Sequence, residues 1–399
     1  MSILNETRNI IRLYLHHVGK SEVPDAYHLW SCLSLVAACV ADRVWLRKFV
    51  DTRLSPNLYV LLVGAPGIGK GNSINVATKF VRGLTKKVQP YAGNITKQAL
   101  IDELSFRQRK KLPSNIWLVS PELGDDVPPG PLGEDLLRFL TKIYECDFSL
   151  PIKERTRKHG LHEIHNPCPN WLGGTNEEWL TLSLPRYAIG GGSLARIALI
   201  KAVYDPAYRI HSITYPFDRD KVVEHLYERI KELCFISGEF RLSPEAKVVD
   251  EQWYMGREAP EDESVLPSWK RQHDFVLKLS MVLSLADDLD FVIQPGHIKR
   301  AQVLAREAYK DLPDIISYAS ATPETKGLDY IMRAIRNAGE IPHYILLRKV
   351  SNRGINKRRL IEVIDTLVQQ KDIKRASSAH GGVIYVWVKR QGRVTRPPT

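Results

Sequence analysis

The sequence predicts an α/β protein: a parallel sheet with a helical N-terminal segment, a helical lid and a C-terminal winged helix. Three observations carry that expectation. Short apolar runs alternate with helix-length stretches between residues 58 and 200, the pattern of a parallel sheet covered on both faces. One run, Asn57-Leu-Tyr-Val-Leu-Leu-Val-Gly-Ala-Pro-Gly-Ile-Gly-Lys70, enters a glycine-rich turn that ends in lysine. Charge is also uneven. The 399 residues carry a net charge of +12, of which Thr325–Thr399 supply +11 through sixteen Lys/Arg and five Asp/Glu. A basic end on a nearly neutral body points to an acidic polymer as partner.

The N-terminal segment, residues 1–55, reads as helices at Asn5–His17 and Asp25–Trp45, with Pro24-Asp25 as a start signal. Its apolar stretch, Leu29–Ala41, is too short to span a bilayer and is closed by Asp42 and Arg43, so it reads as a buried helix and predicts no membrane association. The core, 56–215, takes strands at Leu58–Val63, Asn115–Val119, Asn170–Thr175 and Arg196–Ile200. Helices fall at Ser73–Leu84, Ile95–Lys110, Gly133–Cys146 and Asn176–Leu184. Residues 216–320 form the helical lid, with helices at Arg219–Phe235, Ser243–Glu258, Pro267–Asp288 and His297–Ile316. A linker, Ala321–Lys326, leads to the module at 325–390. There, helices Gly327–Ala338, Tyr344–Val350 and Lys357–Gln370 precede two strands, Ile373–Ala376 and Val383–Val388, joined at His380-Gly381-Gly382. Three helices followed by a two-stranded ribbon read as a winged helix-turn-helix. Residues 391–399 are a basic tail. The five cysteines (Cys32, Cys39, Cys146, Cys168, Cys234) form no Cys-x-x-Cys pair, which points away from zinc and toward a reducing cytoplasm. The N-terminus lacks the order of a signal peptide.

The turn before Lys70 has the chemistry of a phosphate-binding loop. Gly64, Gly67 and Gly69, with Pro66 and Ile68 between them, let successive N–H groups face one anion. Lys70 adds a point charge, and the helix opening at Gly71 and Asn72 adds its positive end. ATP with Mg²⁺ is the expected cofactor. The usual hydroxyl after the lysine is missing, so Asn72 and Ser73 remain as weak metal-ligand candidates.

Glu122 follows the second strand, where a carboxylate polarises the attacking water; the plain alternative is a surface acid. Pro121 stands where a metal-anchoring Asp is usual, with Asp125 and Asp126 as possible substitutes. Asn176 ends the third strand and would touch the γ-phosphate, cap the next helix, or do both. Arg196, after a run of glycines, suits a γ-phosphate contact in a neighbouring subunit; the alternative is an ordinary surface arginine. Arg271 opens a long lid helix and would read nucleotide state or form a salt bridge. The segment Lys153–Glu163 reads as a basic hairpin that carries Arg157, Lys158 and His159 toward DNA, or as a solvated charged hairpin. In the last module, Lys357, Arg358 and Arg359 open the third helix, and Lys374 and Arg375 flank the wing as further DNA contacts.

In this order, the pieces resemble a P-loop NTPase of the AAA+ kind, and more closely the phage and mobile-element ATPases related to superfamily-three helicases and MCM proteins. The stretch from Val23-Pro-Asp-Ala-Tyr-His-Leu-Trp to Pro56-Asn-Leu-Tyr-Val-Leu-Leu-Val-Gly is similar to the prophage primase-helicase group. The resemblance covers about residues 20–300. It implies a homo-oligomeric ring, usually a hexamer, in bacterial or phage-infected cytoplasm, with ATP between subunits. Lys70, Glu122 and Asn176 would act in cis and Arg196 in trans, while the hairpins line a channel that grips single-stranded DNA. It also implies replication partner proteins. Missing metal anchors at Gly71 and Pro121 lead to the expectation of slow or partner-stimulated hydrolysis. The alternative function is an ATP-binding scaffold that assembles on DNA and recruits a partner. A small-molecule kinase is disfavoured by the basic tail and extra modules.

Overall fold

The structure, a computed structural model, describes residues 8–49, 52–84, 88, 90–93, 95–127, 130–146, 150–156, 160–182, 192–203, 205, 215–320, 330–332, 334–336, 338–351, 355–377 and 382–388. The chain divides into two units, Met1–Ala319 and Ser320–Thr399.

The larger unit opens with α1 (Ile10–Val18), α2 (Asp25–Val40), β1 (Val44–Phe49), β2 (Thr52–Leu54) and β3 (Tyr59–Val63). There follow α3 (Lys70–Lys79), β4 (Pro90–Ala92), α4 (Lys97–Arg109), β5 (Asn115–Ser120), the single turn α5 (Leu123–Asp126) and α6 (Pro131–Ile143). A hairpin, β6 (Ile152–Thr156) and β7 (Gly160–Ile164), precedes β8 (Cys168–Thr175), α7 (Glu177–Leu182) and β9 (Ile197–Lys201). The unit ends with α8 (Arg219–Leu233), β10 (Gly238–Leu242), α9 (Pro244–Met255), α10 (Leu266–Asp288), β11 (Val292–Ile293), α11 (Pro295–Tyr309) and α12 (Leu312–Ser320).

Five strands form one sheet in the order β4-β5-β8-β3-β9, and every pairing is parallel. Burial on both faces follows from the strand period. Val60 and Leu62 face one core together with Trp117, Leu172 and Ile200, while Tyr59, Leu61 and Val63 face the other with Leu118, Trp171 and Leu199. The first core is closed by α1, α2, α3 and the lid helices, the second by α4, α6 and α7. The fold is therefore mixed α/β, with an all-parallel sheet flanked by helices.

Three expectations need correction. Residues 1–55 are not all helical: α2 stops at Val40, and Val44–Phe49 and Thr52–Leu54 are strands. Val44 and Leu46 are buried while Arg47 is exposed, the alternation of a half-covered strand. The lid is not all helical either, because β10 and β11 join β1 and β2 in a four-stranded sheet of order β11-β10-β1-β2. The N-terminal segment and the lid thus share a sheet and a core. The stretch His297–Ile316 is also two helices, broken at Lys310-Asp311.

The smaller unit has helical residues within 330–338, then β12 (Glu340–Pro342), α13 (His343–Ser351), α14 (Lys357–Gln369), β13 (Ile373–Ser377) and β14 (Val383–Trp387). Its strands form an antiparallel sheet of order β12-β14-β13, so the expected two-stranded ribbon gains a third member. Ile331, Ile335, Leu346, Leu360, Ile364 and Tyr385 form its own core. The linker and the basic tail lie outside the described residues, as do His380 and Gly381 of the turn.

Candidate active site

The loop that follows β3 emerges at the C-terminal edge of the five-stranded sheet, where ligands sit in open parallel sheets. Ala65, Pro66 and Gly67 are exposed and Ile68 is buried beneath them. Gly69 caps α3 in the left-handed region, at φ 94°, and a Cβ there would lie 2.5 Å from Val23. Only glycine satisfies both conditions. The base of the loop is fixed from two sides: Gly64 donates its N–H to the Thr175 carbonyl at 3.1 Å, and Tyr27 donates its hydroxyl to the Val63 carbonyl at 2.7 Å.

Lys70 is 5 % exposed and folds back over its own loop, donating to the carbonyls of Gly64 at 2.8 Å and Ala65 at 2.9 Å. Burial lowers its pKa, and the charge of Glu122 acts in the opposite direction. The two side chains are therefore within electrostatic reach of each other. Gly174 shows how closely the elements meet: a Cβ there would lie 2.4 Å from the Pro121 carbonyl and 3.4 Å from Lys70 Cβ. The loop lysine, the end of β8 and the segment that opens on Glu122 thus converge on one point. Glu122 is exposed there.

Asn176 stands next in line after β8. Its Oδ1 accepts the Trp179 N–H at 2.8 Å, so it does cap α7, and its amide nitrogen takes no part in that bond. Gly71 and Asn72 open the first turn of α3, with Asn72 exposed. Ser73 is buried, and its hydroxyl is 2.8 Å from that of Ser31 on α2. That pairing turns Ser73 into the core and leaves Asn72 as the exposed one of the two metal-ligand candidates. Asp126 is buried, and the Asp125 side chain lies outside the description.

Alongside α3 runs a cleft of about 470 Å³ bordered by His17, Val23, His28, Asn72, Tyr215 and Arg219, among others. Burial, then the charges of Arg219, His28 and Lys79, lower His17 to about 4. Burial also lowers His28 to about 4, against a smaller upward pull from Asp25. Both rings are neutral at pH 7, and the Nδ1 of each is buried without a hydrogen-bond partner.

Arg196 lies at the other edge of the sheet. It precedes Ile197, which pairs with Tyr59 at the start of β3, so roughly 13 Å of strand separates it from the loop. Its guanidinium donates to the Gly192 carbonyl at 2.8 Å and to Glu145 at 3.1 Å, and sits 5.8 Å from the Tyr144 ring centre. Arg271 donates to the same Glu145 oxygen at 2.7 Å. The structure therefore groups Arg271 with Arg196 and not with Lys70, because α10 begins against the lower edge of the sheet. Lys278, further along α10, is fully buried and donates to Asn57. Burial pushes Glu145 upward, but the hydrogen bond and charge of Arg271, with Lys278 and Arg196, outweigh it and hold the carboxyl below its usual range.

The hairpin closes at the Thr156–Gly160 pair, and Arg157, Lys158 and His159 lie outside the described residues. Its stem is anchored to α4 and α6. Glu154 bridges Lys97 at 3.1 Å and Lys142 at 3.2 Å, and buried His162 meets Asp102 at 3.4 Å. In the smaller unit, Asn356 caps α14 by accepting the Arg359 N–H at 2.9 Å. Lys357, Arg358, Lys374 and Arg375 are exposed and Arg359 is half-buried. Arg358 and Arg359 share Glu362, and Arg375 pairs with Asp365.

Sequence reasoning missed Tyr27, Ser31, Val23 and Glu145. The first three sit in an apolar helix and its lead-in, where nothing distinguishes a loop-bracing side chain from ordinary core; Glu145 carries no spacing signal. No protein-family model matches the chain, and no curated protein matches it. Among the described residues no helix is long and apolar enough to cross a membrane, and no cluster of three or more His, Cys, Asp or Glu could hold a metal.

Proposed function

We propose that the chain is an AAA+-like P-loop ATPase that assembles into a ring and translocates on DNA, as a phage-type replicative helicase or helicase-like initiator. The observation that carries the reading is the convergence of Lys70, Glu122 and Asn176 at one sheet edge, with β8 interposed between the loop strand and the Glu122 strand. The triphosphate would lie on the loop amides at the N-terminus of α3. Lys70 would exchange its two carbonyl acceptors for phosphate oxygens, and the neighbouring cleft has room for the base and ribose. Glu122 would take the proton from the attacking water, with Asn176 orienting it.

Arg196 cannot serve the loop of its own chain, because the length of β3 lies between them. A head-to-tail neighbour would bring it to a second loop, and repetition of that contact closes a ring. Arg271 would act beside it. The hairpin and the winged-helix surface would supply DNA contacts, the first to a single strand in the channel and the second to duplex. In the winged-helix reading, α14 is the recognition helix and β13–β14 the wing.

ATP fits the residues present; Mg²⁺ fits them poorly, since Ser73 is committed to Ser31 and Gly71 carries no ligand. Asn72 and Glu122 remain at the edge, and water would fill the rest of the shell. That observation supports a slow ATPase and favours the second reading, a nucleotide-cemented scaffold on DNA that recruits a partner. Strand displacement from a forked substrate separates the two. The helicase reading predicts displacement with ATP and none with a non-hydrolysable analogue; the scaffold reading predicts equal DNA binding with both and displacement with neither. Absence of DNA-stimulated phosphate release above a Lys70→Ala control removes the ATPase reading.

A further inference from the structure

The helical part of the larger unit carries a second constellation. α9 ends in Trp253, Tyr254 and Met255, α10 begins near Trp269, and α11 presents Lys299, Gln302 and Arg306. Between them lies a cleft of about 440 Å³, within the usual range of ligand sites. Arg257 is stacked at its side. Its guanidinium lies 4.3 Å from the Trp269 ring centre, 4.9 Å from Trp253 and 5.8 Å from Tyr254, and one arm donates to the Trp269 carbonyl. The Arg257 Nε and the Gln302 Nε2 are both buried without a hydrogen-bond partner. Lys299 and Arg306 add exposed cations, and Glu258 is the one carboxylate among the described lining residues.

We propose that this cleft binds single-stranded nucleic acid, one nucleotide unit at a time. The phosphate meets Lys299 and Arg306, the exposed cations of the lining. The base stacks on Trp253 or Trp269, the rings that line the cleft. Planar guanidinium and indole surfaces accept any base, so binding is sequence-tolerant and salt-sensitive. An acidic peptide would satisfy the charges but gives no role to three rings arranged around one guanidinium. The site is independent of nucleotide binding at the Lys70 loop.

The test is photo-crosslinking of the full chain to a single strand carrying 5-iodouracil, with adducts mapped by mass spectrometry. Adducts are expected on Trp253, Tyr254 or Trp269. The doubly reversed variant Lys299→Glu/Arg306→Glu, whose melting temperature should match the parent, yields about tenfold less adduct from this segment at a fixed strand concentration. Adducts confined to other regions overturn the proposal, as does an undiminished yield in the reversed variant. Tighter capture of an aromatic acidic peptide than of the strand by this cleft would also overturn it and assign the site to a protein partner.

Discussion

Lys70 is caught between two sets of acceptors, its own loop carbonyls and the phosphates it would bind. Ligand binding should therefore register as stability. A site filled to a hundred times its dissociation constant adds ~2.7 kcal/mol, a rise of a few degrees in melting temperature. Saturating ATP is expected to produce that rise in the parent and none in Lys70→Ala; equal rises in both would place the nucleotide elsewhere. Gly69→Ala forces a Cβ into the left-handed region and against Val23, and should cost about 1–3 kcal/mol in a denaturant titration. His17 and His28 supply a pH signature. Each titrates near 4 in the folded chain against 6.5 unexposed to the fold, so the unfolded state binds more protons between those values. Stability is present above 6.5 and falls as pH drops toward 4. Melting curves should show this loss, reduced in a His17→Gln/His28→Gln variant; a parent that gains stability on acidification contradicts it.

Among the elements, β3, β5, β8 and β9 were legible because each is an apolar run of strand length buried on both faces. β1, β10, β11 and β12 were not. They are short, half-exposed and defined by partners distant in sequence: Val44 pairs with Gly238, and Arg241 with Val292. No local pattern encodes such pairings. The glycine pair in β8 had a readable purpose only once the sheet order was known. Gly174 lets β8 close against the end of β5, so Gly174→Ala should push the Pro121–Glu122 segment away from Lys70. Hydrolysis is expected to fall more than nucleotide affinity; an unchanged turnover would mean that Glu122 is not the base. Of the named site residues, the loop set, Glu122 and Asn176 lie at one sheet edge. Arg271 does not, because its place depends on how α10 packs across the sheet and no spacing reports that.

For the whole molecule, charge is unevenly divided between the two units. The C-terminal unit carries most of the positive surplus. If about six phosphates are contacted, DNA affinity should drop ~10³-fold between 50 and 200 mM salt. A chain ending at Ala319 should keep its nucleotide-dependent melting shift and lose most of that salt-sensitive duplex affinity. Affinity that survives the deletion refutes the role of the smaller unit. The central claim concerns copies of the chain: the loop edge of one and the Arg196 edge of the next build a single site. Mixing two inactive variants tests it most directly. Lys70→Ala lacks the loop charge and Arg196→Ala lacks the trans donor, so each alone should hydrolyse nothing above background on DNA. Random co-assembly regenerates one intact seam in four, so the mixture should recover about a quarter of the parent rate. No recovery at any mixing ratio, or an Arg196→Ala chain as active as the parent, would contradict the account.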